Sequence, residues 1–235
     1  MIGRLTRPTS VNGALHAVSR LVDANGETAA QGAYSRIKDL IVTLQLPPGS
    51  TIHEPEVQRQ FGVGRTPLRE ALLRLYYDGM VQIYPRRAIV VTKLGVREVR
   101  QLFEMRVILE RSAASLAAQR ATDVETQELL RLGVELRASH DKTDASEFLK
   151  ADLVFHRTIA HYAQNAFLWD EMDRILTLNL WLWNMYFAAR GVRGGDLLAH
   201  KPILDAIVAH DAAAAEAAMA EHILHSRELL LTGLP

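Results

Sequence analysis

The apolar positions near the start of the chain recur every three to four residues, which predicts an amphipathic helix. They are Tyr34, Ile37, Leu40, Ile41 and Leu44. The segment Leu46–Ser50 contains two prolines and a glycine, so it ends that helix. We expect a short strand at residues 51–53 and a second helix at residues 54–61. A turn containing Gly62 and Gly64 then leads into a third helix that carries Leu75 and continues toward Met80.

Two β-prone runs follow the third predicted helix. They are residues 80–84 and 88–91, and Pro85-Arg86-Arg87 separates them, which predicts a hairpin with a basic tip. Three helices and such a hairpin form a winged helix-turn-helix, which we place at residues 30–95. Residues 1–29 are predicted to be an N-terminal arm, either flexible or containing a short extra helix.

From Gly95 onward, helix-forming residues dominate and no convincing strand pattern occurs. Thr122-Asp123-Val124-Glu125 has the sequence of a capping box, and Asp211 is suited to cap another helix. We therefore predict an all-α bundle of about six helices at residues 96–235. The helices are expected near residues 96–120, 122–136, 144–162, 167–189, 197–210 and 211–231. The fold class is mainly α.

The charge distribution separates the two predicted domains. The 235 residues have no net charge, but residues 34–97 carry +5 and residues 98–235 carry −6. The basic part is suited to bind phosphates through counterion release. The chain has no cysteine, so disulfides and thiolate metal sites are excluded. No apolar run is long enough to span a membrane and no secretory signal is evident, so we expect a cytoplasmic protein without a membrane partner.

The start of the third helix has the chemistry of a DNA-binding surface. Arginine donates in a planar fork to guanine edges or phosphates, threonine offers a short hydroxyl, and Pro67 loses no required hydrogen bond in a first helical turn. The recognition helix would enter the major groove, and the basic hairpin would contact the backbone or the minor groove. The candidate DNA-binding residues are Arg65, Thr66, Arg69, Arg86 and Arg87.

This region resembles the DNA-binding domain of the GntR superfamily of bacterial transcription regulators. The resemblance implies DNA contacts by Arg65, Thr66 and Arg69 and a wing contact by Arg87. Gly64 stands where the family usually has Ser or Thr, and Ala88 where it usually has Gly. The matching residues are Leu46–Gly49, Phe61–Val63, Arg65–Leu72, Leu75, Asp78–Val81 and Pro85–Arg87.

Four residues of the second half could form a metal site. Asp152 and His156 are four residues apart and therefore lie on one helical face. Together with His200 and His222, from two further predicted helices, they offer three imidazoles and a carboxylate. Such a set suits Zn²⁺, Ni²⁺, Co²⁺ or Mn²⁺. The spacing alone leaves open an ordinary surface pair of Asp152 and His156.

The second half resembles the FCD effector domain of the FadR subfamily, in its VanR-like six-helix group. The resemblance implies that Asp152, His156, His200 and His222 hold a divalent metal. The matching segments are Leu102–Arg106 with Leu109-Glu110, Asp152–His156, His200–Ile207 and Ala217–His222.

A ligand pocket is expected beside the metal. The resemblance implies a small organic acid as effector, with Arg106 as a partner for its anionic group, although a buried structural ion pair of Arg106 with Asp or Glu is the alternative. Asn179, Trp183 and Tyr186 lie on one side of a predicted helix and could line this pocket, or the two aromatic residues could simply be core.

Together these features predict a ligand-responsive transcriptional regulator rather than an enzyme. We expect a repressor that binds an inverted-repeat, double-stranded DNA operator as a homodimer, because one recognition helix contacts only a few base pairs. A metal-dependent hydrolase or lyase fused to a DNA-binding module is one alternative, although no general base stands out beside the four ligands. A sensor of the metal ion itself is the other.

Overall fold

The computed structural model describes residues 27–140, 145–190 and 200–233. These described residues divide into two compact units: the first comprises those up to Ile41 and Leu46–Thr92, and the second comprises Val42–Gln45 and those from Lys93 onward. The N-terminal arm predicted at residues 1–29 lies almost entirely outside the described residues.

The described part of the first unit contains three helices and a small sheet. The elements are α1 (Ala29–Val42), β1 (Thr51–Ile52), α2 (Glu54–Phe61), α3 (Arg65–Tyr77), β2 (Val81–Tyr84) and β3 (Ala88–Val91). The strands are antiparallel in the order β1-β3-β2, and Val81 pairs with Val91 while Tyr84 pairs with Ala88. This arrangement confirms the predicted winged helix-turn-helix.

A glycine at the turn before α3 permits the sharp change of direction there. Gly62 ends α2 in the left-handed region, at φ 67°, where residues with a Cβ are strained. Helix α3 is then held by one buried face, because Leu68, Ala71, Leu72 and Leu75 are each almost fully buried. Its opposite face is therefore left to solvent.

The second unit is helical throughout its described part, as predicted. Its elements are α4 (Val96–Arg120), α5 (Asp123–His140), α6 (Ala145–Tyr162), α7 (Ala166–Arg190), α8 (Lys201–Val208) and α9 (Ala212–Gly233). The predicted starts of α6 and α8, at residues 144 and 197, lie outside the described residues.

Local capping explains where several of these helices begin. The Thr122 amide donates to Glu125 Oε2 over 2.8 Å and the Glu125 amide donates to Thr122 Oγ1 over 3.3 Å, so the predicted capping box is present. The side-chain oxygen of Asn165 accepts from the Leu168 amide at the start of α7, and that of Asp211 accepts from the Ala214 amide at the start of α9.

Helix α4 lies at the centre of the bundle. Helix α4 packs against α6, α7, α8 and α9, and Ala113, Ala114, Ala117 and Ala118 are completely buried along it. Small side chains on α4 allow neighbouring helices to approach closely. Polar residues that α4 points inward are consequently buried among several helices, and two of them belong to the site described below.

Candidate DNA-binding surface and metal centre

The first turns of α3 present three polar side chains to solvent. Arg65, Thr66 and Arg69 are exposed, on the side opposite the buried leucines that anchor the helix. Gly64 precedes the helix in an extended conformation, and its carbonyl accepts from the Leu68 amide over 3.2 Å. The structure therefore brings the three predicted recognition-helix residues together on one surface.

Arg69 has an acidic neighbour on a different helix. Its Nε lies 3.5 Å from Oε2 of Glu54, which is the first residue of α2. The pairing of Arg69 with Glu54 depends on how α2 crosses α3, so it cannot be predicted from the spacing of residues within one helix.

Arg74, further along α3, has a structural contact. Its guanidinium carbon lies 3.9 Å from the centroid of the Tyr34 ring, which is a cation–π distance. The Tyr34 hydroxyl in turn donates to Asp78 Oδ2 over 2.8 Å. These contacts join α1 to the end of α3.

The tip of the β2–β3 hairpin displays the two predicted wing arginines. Arg86 and Arg87 are both exposed, and the Arg87 amide donates to the Tyr84 carbonyl over 3.0 Å. Arg86 adopts a φ of 61°, in the left-handed region that favours glycine. The turn thus closes with a non-glycine residue at its strained position and projects two cationic side chains.

In the second unit, the four predicted metal ligands meet in one place. Asp152 and His156 come from α6, His200 precedes α8, and His222 lies in α9; one ligand atom from each lies within 4.8 Å of those from the other three. Nε2 of His200 is 2.9 Å from Asp152 Oδ1, and Nε2 of His156 is 3.7 Å from the same oxygen.

The donor atoms of this group fit a divalent metal. Three imidazole nitrogens of this group are buried and have no hydrogen-bond partner among the described residues: His156 Nε2, His200 Nε2 and His222 Nδ1. His200 Nε2 lies 2.9 Å from Asp152 Oδ1, but the angle of this contact is outside hydrogen-bond geometry. Buried polar atoms are normally paired. Three unpaired imidazole nitrogens around one carboxylate form a set that zinc and the neighbouring transition metals favour.

A buried carboxylate on α4 lies behind His156. Oε2 of Glu110 is 2.5 Å from His156 Nδ1, and Oε1 of Glu110 accepts from Arg106 Nε over 2.5 Å. Arg106 also donates from Nη1 to Asn179 Oδ1 over 2.8 Å. Arg106 and Glu110 are essentially inaccessible to solvent. The main contact of Arg106 is therefore a buried ion pair, which was the alternative interpretation of this residue.

The electrostatics of the group follow from burial and close charges. Burial alone would lower the pKa of His156, but Glu110 and Asp152 outweigh it and raise that pKa to about 9. Burial would raise the pKa of Asp152, yet the neighbouring His156 and His200 hold it well below its ordinary value. Burial and the charges of His200 and His156 lower the pKa of His222 well below the usual range.

A small cavity opens beside the four predicted metal ligands. Arg106, Asn179 and Trp183 line it together with Asp152, His200 and His222. Tyr186 does not line this cavity; it is half-buried and packs edge-on against the Trp183 ring at 5.3 Å between centroids. The structure thus brings three of the four predicted ligand-binding residues to the predicted metal ligands, and the fourth, Tyr186, contacts one of these three, Trp183.

Sequence reasoning did not identify Glu110 as the partner of Arg106 and His156, and it missed three residues that line the cavity. Glu110 follows Arg106 by four positions, and that spacing places two opposite charges on one helical face, so the pair was detectable. Phe148, Leu149 and Ser226 complete the lining. They carry no distinctive sequence signal, because apolar residues and a serine on helices are common everywhere.

The fold and these surfaces define a class of protein: a DNA-binding regulator with a separate helical domain. Residues 29–91 match the bacterial regulatory proteins of the gntR family, and residues 101–225 match the FCD domain. The chain belongs to the GntR family of transcriptional regulators, in the group that carries an FCD domain. The resemblance inferred from the sequence is confirmed.

Individual relatives agree with this assignment. The chain is 35% identical over 141 residues to an uncharacterized HTH-type transcriptional regulator of Agrobacterium vitis, which covers 59% of this chain and 81% of that protein. It is 28% identical over 193 residues to the HTH-type transcriptional repressor RspR of Escherichia coli, with coverage of 82% and 85%.

A solved structure shares the fold. Escherichia coli McbR/YncC superimposes with a TM-score of 0.76 at 22% identity, over 87% of this chain and 98% of that one. These relatives are regulators, so the prediction that the chain is not an enzyme is confirmed, and the hydrolase or lyase interpretation finds no support. Within residues 27–140, 145–190 and 200–233, no helix has the length and apolar character needed to cross a membrane.

Proposed function

We propose that this regulator is a repressor that binds an inverted-repeat operator as a homodimer and senses a small organic acid in a metal-containing pocket. The observation that supports it most is the convergence of Asp152, His156, His200 and His222 beside a cavity that Arg106 also lines. A bacterial regulator that binds DNA must reach the chromosome, so we propose that it is located in the cytoplasm.

The proposed operator contacts come from the first unit. Arg65, Thr66 and Arg69 would contact base edges or phosphates in the major groove, and Arg86 and Arg87 would contact the backbone or the minor groove. A single recognition helix contacts only a few base pairs, so two copies on two half-sites would supply the specificity of a homodimer. The repressor role is supported by RspR, a transcriptional repressor that is similar to this protein over most of the chain.

The proposed effector site combines a metal ion with Arg106. Asp152, His156, His200 and His222 would hold the ion, with Zn²⁺, Ni²⁺, Co²⁺ and Mn²⁺ as the candidates that suit this donor set. When bound, the ion supplies positive charge to which a carboxylate can be attracted. Its two charges together with that of Arg106 exceed the negative charges of Asp152 and Glu110 by one, so the site favours an anion.

Arg106 retains one donor group for that anion. Its Nε is bound to Glu110 and its Nη1 to Asn179, and Nη2 has no hydrogen-bond partner among the described residues. Asn179 holds the guanidinium from the side of α7, and Trp183 adds an apolar wall to the cavity. The small size of the cavity favours a compact acid over a drug-sized ligand.

The proposal is tested by DNA-binding titrations on purified protein. A DNA fragment selected from a random library by the wild-type chain is titrated with metal-free protein, with each of the four metals, and with a panel of mono-, di- and tricarboxylates. We expect an acid to change DNA affinity only when metal is present.

Two other outcomes would contradict the proposed sensing. A change of DNA affinity caused by metal alone, with no effect of any acid, would identify a metal-ion sensor instead. DNA affinity that responds to neither metal nor acid would refute a sensing role for this cavity. Sedimentation of the protein–DNA complex counts the protomers, and one protomer per operator would refute the homodimer.

A further inference from the structure

Each of the two carboxylate oxygens of Glu110 contacts a side chain of the proposed site. Oε1 contacts Arg106 Nε and Oε2 contacts His156 Nδ1, each over 2.5 Å. All three side chains are at least 99% buried, so water does not compete for these contacts. A single carboxylate therefore bridges a proposed metal ligand and the proposed effector-binding arginine.

The short contact determines which nitrogen of His156 faces the other metal ligands. Oε2 approaches Nδ1 at an angle outside hydrogen-bond geometry, yet a carboxylate oxygen 2.5 Å from an unprotonated ring nitrogen would place two lone pairs against each other. The contact is favourable only when Nδ1 carries a hydrogen. Nε2, which lies on the side of Asp152, is then the nitrogen left to bind a metal.

The same carboxylate restrains Arg106. Arg106 and Glu110 lie four residues apart on α4, and the guanidinium is held between Glu110 and Asn179 of α7. A displacement of Glu110 would therefore move Arg106, and a displacement of His156 would move Glu110. The three residues form a continuous chain of contacts from the metal ligands to the cavity lining.

We propose that Glu110 is a positioning residue that orients His156 for metal binding and couples metal occupancy to the placement of Arg106. This inference rests on the metal centre of the proposed function and adds to it a residue that touches neither metal nor effector. Carboxylates behind metal-bound histidines commonly fix the ring in this way, and their loss typically weakens metal affinity by about 10–100-fold.

The first test measures metal affinity in Glu110→Gln. A glutamine amide has only one acceptor oxygen, so it cannot offer a separate acceptor oxygen to Arg106 and to His156. Competition of the full chain with a chromogenic chelator for Zn²⁺ should give a Kd raised by about 10–100-fold. The matched control is Glu104→Gln, which makes the same change at an exposed position of the same helix and should leave the Kd unchanged.

A second measurement separates positioning from a general loss of structure. Arg106→Gln is made in the wild-type chain and in the E110Q background, and the Zn²⁺ Kd of all four proteins is compared. We expect the substitution at Arg106 to change the Kd several-fold in the wild-type chain and by less than about twofold in the E110Q background, since coupled residues are not additive. Equal changes in both backgrounds would overturn the coupling.

A third measurement needs no variant at the carboxylate. Two-bond proton–nitrogen NMR correlations on the Zn²⁺-loaded wild-type chain report which nitrogen of each histidine is protonated, and His156→Gln assigns the signals. We expect a protonated Nδ1 and a metal-bound Nε2 in His156, and the reverse would overturn the inference. A wild-type chain that binds no metal would refute the metal centre itself, whereas unchanged affinity in Glu110→Gln would refute only the role of Glu110.

Discussion

Nε2 of His200 lies 2.9 Å from Oδ1 of Asp152, although His200 is the residue before α8 and Asp152 lies in the middle of α6. The remaining two members of the group come from the next turn of α6 and from α9. Because three separate segments of the chain contribute to this group, we expect the loss of any one member to weaken metal binding.

We expect Asp152→Asn and His222→Gln each to weaken Zn²⁺ binding by at least about 100-fold, because direct ligands matter no less than the partners behind them. The measurement is calorimetric titration of metal-free protein. His225→Gln is the matched control, since His225 lies on the same helix but is exposed and outside the group. Full metal affinity in both variants would contradict the assignment of these ligands.

Metal removal should also change the stability of the helical unit. A ligand that binds only the folded chain stabilises it by mass action, so Zn²⁺ at 100 times its Kd should raise the free energy of unfolding by at most about 2.7 kcal/mol. Urea unfolding with and without chelator measures this difference. In Asp152→Asn at the same metal concentration the gain should fall to at most about 0.4 kcal/mol, and an equal gain there would show that the ion binds elsewhere.

The helices were largely predictable because their signals are local. The capping box of Thr122 and Glu125 and the cap at Asp211 mark helix starts by short-range hydrogen bonds, and the α4 stripe of Val99, Phe103 and Ala113 follows the helical period. The spacing of Asp152 and His156 likewise places both on one face without knowledge of the fold.

The contacts between helices were less predictable. Glu54 approaches Arg69 and Asn179 binds Arg106 only because particular helices cross at particular angles. Tyr186 shows the same limit, since its helical spacing placed it beside Asn179 and Trp183, yet side-chain packing turns it against Trp183 and away from the cavity lining. The helical period of a sequence shows which residues share a face of a helix, but it does not show which residues of other helices each side chain contacts.

For the recognition helix, we expect Arg65→Ala and Arg69→Ala each to weaken binding to the selected DNA fragment by about 1–3 kcal/mol if they contact base edges. Fluorescence anisotropy titrations at fixed salt measure the loss. Arg137→Ala, an exposed arginine on α5, serves as the control and should have no effect. Undiminished affinity in both recognition-helix variants would remove these residues from the interface.

The wing should behave differently, because it is proposed to contact phosphates. We expect Arg87→Ala to weaken binding to selected and scrambled DNA by a similar factor and to reduce the slope of log affinity against log salt by about one. Titrations at several salt concentrations give both quantities. A loss confined to the selected fragment, with an unchanged slope, would instead indicate that Arg87 contacts a base.

The contact between Glu54 and Arg69 predicts a residue that affects specificity without touching DNA. Arg69 is two-thirds exposed, so its long side chain is free to adopt other conformations unless Glu54 restrains it. We expect Glu54→Gln to reduce the ratio of affinities for selected and scrambled fragments several-fold, because a freer arginine discriminates less among base edges. Parallel titrations of both fragments measure this ratio.

The control for this prediction is Glu56→Gln. Glu56 is exposed on the same helix, two residues further on, so its substitution removes the same charge without touching Arg69. Both variants should bind scrambled DNA slightly more tightly, since each removes a negative charge near the phosphates. If Glu54→Gln and Glu56→Gln alter the ratio equally, the effect of Glu54 is one of charge alone and it does not orient Arg69.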